Sequence, residues 1–345
     1  MSARRLPVLV VDDSPLSVDV LASRIARDPR LEVAGVAYDG LRAVELARTL
    51  RPTVITMDLH MPKLDGLGAI ERIMRERPTR ILVVTAQDDR GTLAFEALRR
   101  GASDLLEKPA PHDRSDALCE RIWALARAPI RSASSEGVPA RAGTAHRGPR
   151  VETDTHVAAI GVVASTGGPA ALAAVLGALP ADLGASILVV QHLPSGFAPR
   201  LARWLDGVSP LTVSIASEGE LLAPGRVLIA ADDRHLTIDG RRRVRLLPGP
   251  PIGGHRPSGT RLLTSLADEL GARAAGVVLT GMGRDGADGL LALRTAGGRT
   301  LVQDEATSAV YGMPRAALEA QAAELSVPLD GVAASLLALA GRSRR

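Results

Sequence analysis

Two sets of residues in this chain have types and spacing that could do chemistry, and they lie in different halves. In the first half, Asp12 and Asp13 follow the apolar run LPVLVV, Asp58 follows TVITM, Thr85 ends ILVVT and Lys108 stands in LLEKP just before Pro109. Three gathered carboxylates repel one another and need a hard cation, and Mg²⁺, which prefers oxygen ligands and retains waters, suits them. Phosphoryl transfer to Asp58 then becomes feasible, because metal and lysine neutralise the phosphoryl oxygens as the carboxylate attacks. In the second half, Ser165 opens STGGP directly after HVAAIGVVA, His192 ends SILVVQH, and Asp285 lies in LTGMGRDG. A serine hydroxyl is a weak nucleophile until an imidazole accepts its proton, and a carboxylate fixes the tautomer of that imidazole. This set points to acyl transfer, in a chain order (Ser, His, Asp) unlike the Ser, Asp, His of α/β-hydrolases.

Elements that bring such residues together are visible as alternating short apolar runs and amphipathic stretches. Five β-α units fill the chain up to about Arg127, which predicts an open parallel sheet with helices on both faces. In such sheets ligands bind outside the carboxyl ends of the strands, where the acids, the threonine and the lysine stand. Residues 127–155 are rich in Ser, Gly, Pro, Ala and Arg without apolar periodicity and read as a flexible linker. From His156 onward a second α/β pattern runs to a closing helix near PRAALEAQ, mostly parallel, with one antiparallel hairpin signalled by Asp239-Gly240. Arg241, Arg242, Arg243 and Arg245 then decorate an exposed hairpin. The Gly-Gly after Ser165 lets the backbone approach a substrate, and helix-start N–H groups there can stabilise an oxyanion.

Composition narrows the classes. The 345 residues suffice for two domains, and 46% hydrophobic with 23% charged residues is the balance of an ordinary globular chain. Aromatics at 2% argue against a base-stacking nucleic-acid surface, and no basic recognition helix follows a helix-turn-helix pattern. The single cysteine, Cys119, excludes an intramolecular disulfide and a multi-cysteine zinc site, as expected of a reducing compartment. The apolar run at Leu6–Val11 is too short for a signal peptide, and no stretch reaches the roughly 18 apolar residues of a membrane span. A cytoplasmic protein with no membrane insertion and no nucleic-acid partner is expected.

VVDDS, MDLHMPKLDG, VVTA and LLEKP resemble, in order and spacing, the receiver domains of two-component response regulators. The resemblance implies a flavodoxin-like (βα)5 fold over 1–126, with Asp58 as phospho-acceptor, Asp12, Asp13 and Asp58 as the Mg²⁺ site, Thr85 as switch hydroxyl and Lys108 on the phosphoryl group. Leu105 stands where that family commonly has Tyr or Phe. ASTGG, QHLPSGF, PGPP with HRPS, LTGMGRDG and DEATSAVYGMPRAA resemble the chemotaxis protein-glutamate methylesterases, the CheB family. That resemblance implies a doubly wound catalytic domain over 156–345 in which Ser165 is the nucleophile, His192 the base and acid, Asp285 the orienting carboxylate, and backbone N–H groups near Thr166 and Met282 the oxyanion donors.

What the two resemblances imply together is a phosphorylation-activated hydrolase that removes glutamate methyl esters from chemoreceptors, releases methanol and deamidates receptor glutamines in chemotactic adaptation. A chemotaxis-type histidine kinase and methyl-accepting receptors would be its partners. The unphosphorylated receiver would cover the hydrolase cleft, and the hydrolase site would need no cofactor. Departures from the family are Val163, two before the serine where Gly is common, and VLIAADDRHL, which lacks the usual Pro-Gly. An alternative class is a non-enzymatic, phosphorylation-dependent binding module with a degenerate hydrolase domain. His255, Arg256 and Ser258 belong along the cleft by resemblance, with Ser258 a rival nucleophile, while His235 and Asp304 are supporting candidates. Dinucleotide-dependent oxidoreduction is excluded because neither glycine-rich turn completes a fingerprint with a downstream acid.

Overall fold

A computed structural model describes residues 5–85, 93–110, 116–128 and 156–343. The first domain alternates β1 (Leu6–Val11), α1 (Pro15–Arg27), β2 (Leu31–Ala37), α2 (Gly40–Leu50), β3 (Val54–Met57), α3 (Gly66–Glu76), β4 (Arg80–Thr85), α4 (Leu93–Arg99), β5 (Asp104–Glu107) and α5 (Ala117–Ala126). All strands pair in parallel in the order β2-β1-β3-β4-β5, so β1 and β3 are neighbours at the centre and their acidic ends meet. Helix starts follow the sequence closely. Ser14, Asp39 and Asp65 each accept a backbone N–H from three residues on, at 3.4, 2.8 and 2.7 Å, satisfying donors that a helix cannot bond internally.

The second domain comprises β6 (Ala159–Ala164), α6 (Gly168–Gly177), β7 (Ser186–Gln191), α7 (Ala198–Val208), β8 (Thr212–Ile215), β9 (Arg226–Ile229), β10 (His235–Ile238), β11 (Val244–Leu247), α8 (Gly259–Leu270), β12 (Ala274–Val278), α9 (Ala287–Thr295), β13 (Arg299–Gln303), α10 (Met313–Glu319), β14 (Leu325–Val327) and α11 (Leu329–Ala340). Its seven-stranded sheet is parallel throughout, in the order β14-β13-β12-β6-β7-β9-β8. Strands β6 and β7 are buried along their whole length, which is why they read as continuous apolar runs. Because the chain runs from β6 to β7 on one side and returns to β12 on the other, a topological switch point opens between β6 and β12, the position where such sheets bind ligands.

The expected antiparallel hairpin forms, with its strands β10 and β11 as a separate two-stranded sheet. Its arginines are tied locally: Arg243 donates to the Gly219 carbonyl at 2.9 Å, and Arg245 pairs with Glu218 at 2.7 Å. One expectation needs correction, since α10 does not close the chain; β14 adds a strand to the sheet edge and α11 covers α6. Apart from Arg127 and Ala128, the linker read at 127–155 lies outside the described residues. No described helix is long and apolar enough to cross a membrane.

The two domains meet through α4. Phe95, fully buried, stacks on Trp204 of α7 with ring centroids 5.4 Å apart, and α4 packs against α6. Leu93 and Leu98 of α4 belong to the same apolar cluster as Leu172 and Leu205 of the second domain.

Candidate functional site

The sheet order places the first residue set at one edge. Asp12 and Asp13 leave β1, Asp58 leaves β3, and a carboxylate oxygen from each falls within 4.8 Å of the others. Asp12 and Asp58 are buried, whereas Asp13 is exposed. Thr85 closes β4, and its carbonyl accepts the Lys108 backbone N–H at 2.8 Å, which brings the lysine beside it. Lys108 Nζ lies 2.8 Å from Asp12 Oδ2 and 3.1 Å from Asp58 Oδ2. Burial pushes the Asp58 carboxyl above its ordinary range, and the neighbouring Asp12 charge adds to this against the pull of Lys108. Burial disfavours the lysine charge, yet the adjacent Asp12 and Asp58 carboxylates outweigh that and raise its proton affinity.

All three acids offer hard oxygen ligands. Asp12 Oδ2 is buried and, although close to the lysine, has no hydrogen bond of good geometry, so lone pairs remain for a cation. The donor set fits Mg²⁺. Leu105, buried in β5, fills with an aliphatic side chain the position where receiver domains commonly have Tyr or Phe.

The second set converges at the carboxyl ends of β6, β7 and β12. Ala164 pairs with Gln191, so the residues that follow them, Ser165 and His192, emerge side by side. The turn after β6 is fixed by its backbone. Ser165 N–H donates to the Thr280 carbonyl at 3.0 Å, and the Ser165 carbonyl accepts from Gly168 N–H at 2.8 Å and Gln191 Nε2 at 2.8 Å. A Cβ at Gly281 would come within 2.8 Å of the Ser165 Cβ and 2.3 Å of Met313 Sδ, so the close approach of the β12 loop to the serine requires glycine.

Asp285 stands in the loop between β12 and α9. Its Oδ2 meets His192 Nε2 at 2.8 Å, while Ser258 Oγ donates to Oδ1 at 2.8 Å, Gly259 N–H to Oδ2 at 2.6 Å and Thr260 N–H to Oδ1 at 2.9 Å. The carboxylate therefore sits on the amino end of α8, where unpaired N–H groups and the helix dipole favour negative charge. Burial works against its ionisation, but the bond to His192 and the N–H groups of Thr260 and Gly259 prevail and hold its carboxyl far below the usual range. Since Nε2 is engaged, His192 Nδ1 is the ring nitrogen left without a hydrogen-bond partner among the described residues. Neither Thr166 N–H nor Met282 N–H donates to a described group. This geometry can run nucleophilic acyl transfer.

Residues 160–336 match the family model described as CheB methylesterase, and residues 8–121 match the response regulator receiver domain. The chain belongs to the CheB methylesterase family. A relative from Myxococcus xanthus (strain DK1622), named protein-glutamate methylesterase/protein-glutamine glutaminase 3, is 49% identical over 95% of this chain and 92% of its own length. Another, protein-glutamate methylesterase/protein-glutamine glutaminase 2 from Anaeromyxobacter dehalogenans (strain 2CP-C), is 48% identical over 96% of each chain. Among solved structures, the Thermotoga maritima CheB methylesterase catalytic domain aligns with TM-score 0.52 and 35% identity, over 52% of this chain and 97% of that one.

Other residues singled out in the sequence fall outside this CheB-type centre or take different roles in it. Ser258 is fully buried, caps α8 and bonds Asp285, so it buttresses the acid and is no rival nucleophile. His235 Nε2 pairs with the Pro250 carbonyl at 3.0 Å, and Asp304 organises its own turn by accepting from Thr307 Oγ1 at 2.6 Å. Arg256 bonds the Gly249 carbonyl at 2.7 Å and Asp233 at 3.1 Å. Val163 is buried beneath the amino end of α8, where a Cβ on Gly259 would come within 2.1 Å of its Cγ1. Asp232 is a residue that sequence reading missed: its Oδ2 accepts the Gly196 N–H at 2.8 Å and pins the loop after His192, with no local signal linking positions 36 apart.

Proposed function

We propose that this chain is a phosphorylation-controlled protein-glutamate methylesterase that also deamidates glutamine at the same centre. The observation that carries the reading is the hydrogen bond that the Asp285 carboxylate accepts from His192 Nε2, made beside a serine at the neighbouring strand end in a CheB-family chain that also has a receiver domain. Ser165 is the nucleophile. Its proton passes to His192 Nδ1 as Oγ bonds to the ester carbonyl carbon, and the carbonyl oxygen, now negative, is received by the Thr166 and Met282 N–H groups. Asp285 keeps the proton of the neutral ring on Nε2 and stabilises the imidazolium. Collapse breaks the carbon–methoxy bond, and methanol departs with the proton from His192. Water, deprotonated by the same nitrogen, cleaves the acyl-serine to give the glutamate carboxylate. With a glutamine side chain the leaving group is ammonia, and later steps are shared.

In the receiver, residues 1–126, Asp58 is the phospho-acceptor, and Asp12, Asp13 and Asp58 would hold Mg²⁺, which supplies charge neutralisation for the phosphoryl oxygens when bound. Lys108 offsets the same charge and Thr85 is the switch hydroxyl. Residues 127–155 are the tether and 156–345 the catalytic domain. The substrate class is methylated glutamates on cytoplasmic chemoreceptor helices, and a chemotaxis-type kinase supplies the phosphoryl group. Docking of α4 on α6 and α7 through Phe95 and Trp204 supports restraint of the hydrolase by the unphosphorylated receiver, and Arg121 of α5 is near enough to help depress the proton affinity of His255 beside the triad.

Methanol release from methylated receptor membranes, with and without a small phosphodonor, tests both halves. Wild type should be stimulated about tenfold or more, whereas Asp58→Asn should keep the basal rate and lose the stimulation. Stimulation of Asp58→Asn equal to wild type would remove Asp58 from the switch. A non-enzymatic binding module would release no methanol and leave Ser165 unlabelled by a fluorophosphonate.

A further inference from the structure

His192 is constrained at one edge by Asp285, but a single hydrogen bond to one ring nitrogen leaves the plane of an imidazole free to tilt about it. That freedom is removed by a second histidine. The ring of His255 lies parallel to that of His192, with centroids 3.8 Å apart and planes within 1°.

We propose that His255 is a positioning residue of the esterase: its ring lies flat on His192 and holds the base in the plane in which Nε2 bonds Asp285 and Nδ1 is left open for the serine proton.

The backing of His255 is hydrogen-bonded. Its N–H and carbonyl exchange two hydrogen bonds with Ile252, both 3.0 Å, closing a tight turn over Gly253 and Gly254. Both glycines have positive φ, 57° and 86°, the requirement of a two-residue hairpin turn in which neither centre tolerates a branched side chain. Arg256 anchors the next residue to Gly249 and Asp233. Three positions further on, Ser258, Gly259 and Thr260 grip Asp285. One segment, residues 255–260, thus controls both the face and the edge of the base, so the ring and its acid are held in a fixed mutual geometry.

The stack is also suited electronically. When His192 takes the serine proton, a neutral ring against its face is attractive, whereas a second imidazolium at that distance is repelled. His255 is kept neutral chiefly by burial, then by the proximity of His192 and Arg121, against the opposing pull of Asp285.

The inference rests on the methylesterase reading, and the test separates the two. His255→Leu, His255→Gln and His255→Phe are compared with wild type in the full-length protein for methyl ester hydrolysis and, independently, for the rate at which a fluorophosphonate labels Ser165. Leucine and glutamine remove the flat partner, and kcat should fall about tenfold to a hundredfold with KM within about twofold, because a misaligned base costs rate and not binding. Phenylalanine restores a flat face without hydrogen-bonding atoms and should stay within about threefold of wild type. Labelling rates should follow the same order. Wild-type kcat in the leucine or glutamine variant overturns the proposal, as does a phenylalanine variant as slow as leucine, which would assign His255 a hydrogen-bonding role. A wild type that labels at Ser165 but releases no methanol sinks the methylesterase reading instead, and the labelling order still decides the role of His255.

Discussion

Ser165→Ala should lower kcat for ester hydrolysis by about four to six orders of magnitude, leaving only what the oxyanion donors and substrate binding supply. The fold should not notice. The interactions that define the turn run through the Ser165 backbone, to Thr280, Gly168 and Gln191, and all survive the substitution. A thermal midpoint within about 2 °C of wild type and unaltered phosphorylation of Asp58 are the expected controls. Measurable activity within a hundredfold of wild type would mean that another group attacks the ester. Ser258 is not that group, because its hydroxyl is fully buried and already committed to Asp285.

Asp285→Asn should cost about three to four orders of magnitude in kcat, for a different reason. An amide at this position can present its NH₂ to His192 Nε2, which favours the tautomer with its proton on Nδ1, the nitrogen that must receive the serine proton. The same substitution weakens three bonds from Ser258, Gly259 and Thr260, so stability should also fall, by about 5 °C in thermal midpoint. The pH dependence has a defined sign. Because the folded-state carboxyl is held below its unfolded value, Asp285 contributes its full stabilisation above the ordinary carboxylate range and loses it as pH falls through the folded value. The stability gap between wild type and variant should therefore be widest near neutrality and narrow in acid, as read from urea midpoints at pH 7 and pH 3. A gap that widens in acid would contradict the structure.

Much of this arrangement is legible in the sequence. The described elements of the receiver follow from short buried strands alternating with amphipathic helices, three of them side-chain-capped, and the chemistry-bearing residues stand at strand ends, where the rules for parallel sheets place sites. Two elements escaped. Strand β14 has only three residues, too few for an alternation to register, and α11 is LDGVAASLLALA, so rich in Ala and Leu around its circumference that it offers little amphipathic contrast. Strand order escaped as well, since nothing local says that β12 lies beside β6, although that adjacency carries Asp285 to His192. The engaged nitrogen of His192, the grip of Ser258 on Asp285 across 27 positions and the His255 stack are all products of tertiary packing.

Under the proposed restraint of the hydrolase by the receiver, the contact between Phe95 and Trp204 sets how wide the response of the enzyme is. An aromatic stack contributes on the order of 1 kcal/mol beyond the area it buries, and it is one part of the proposed latch, with the apolar residues clustered around it. Such a latch leaves a standing fraction of molecules open without any signal, and that fraction is the basal rate. Phosphorylation cannot raise output beyond full opening, so each tenfold of dynamic range requires about 1.4 kcal/mol of latch. Strengthening the contact would silence the resting enzyme and lengthen its range; loosening it would yield a faster, less obedient one.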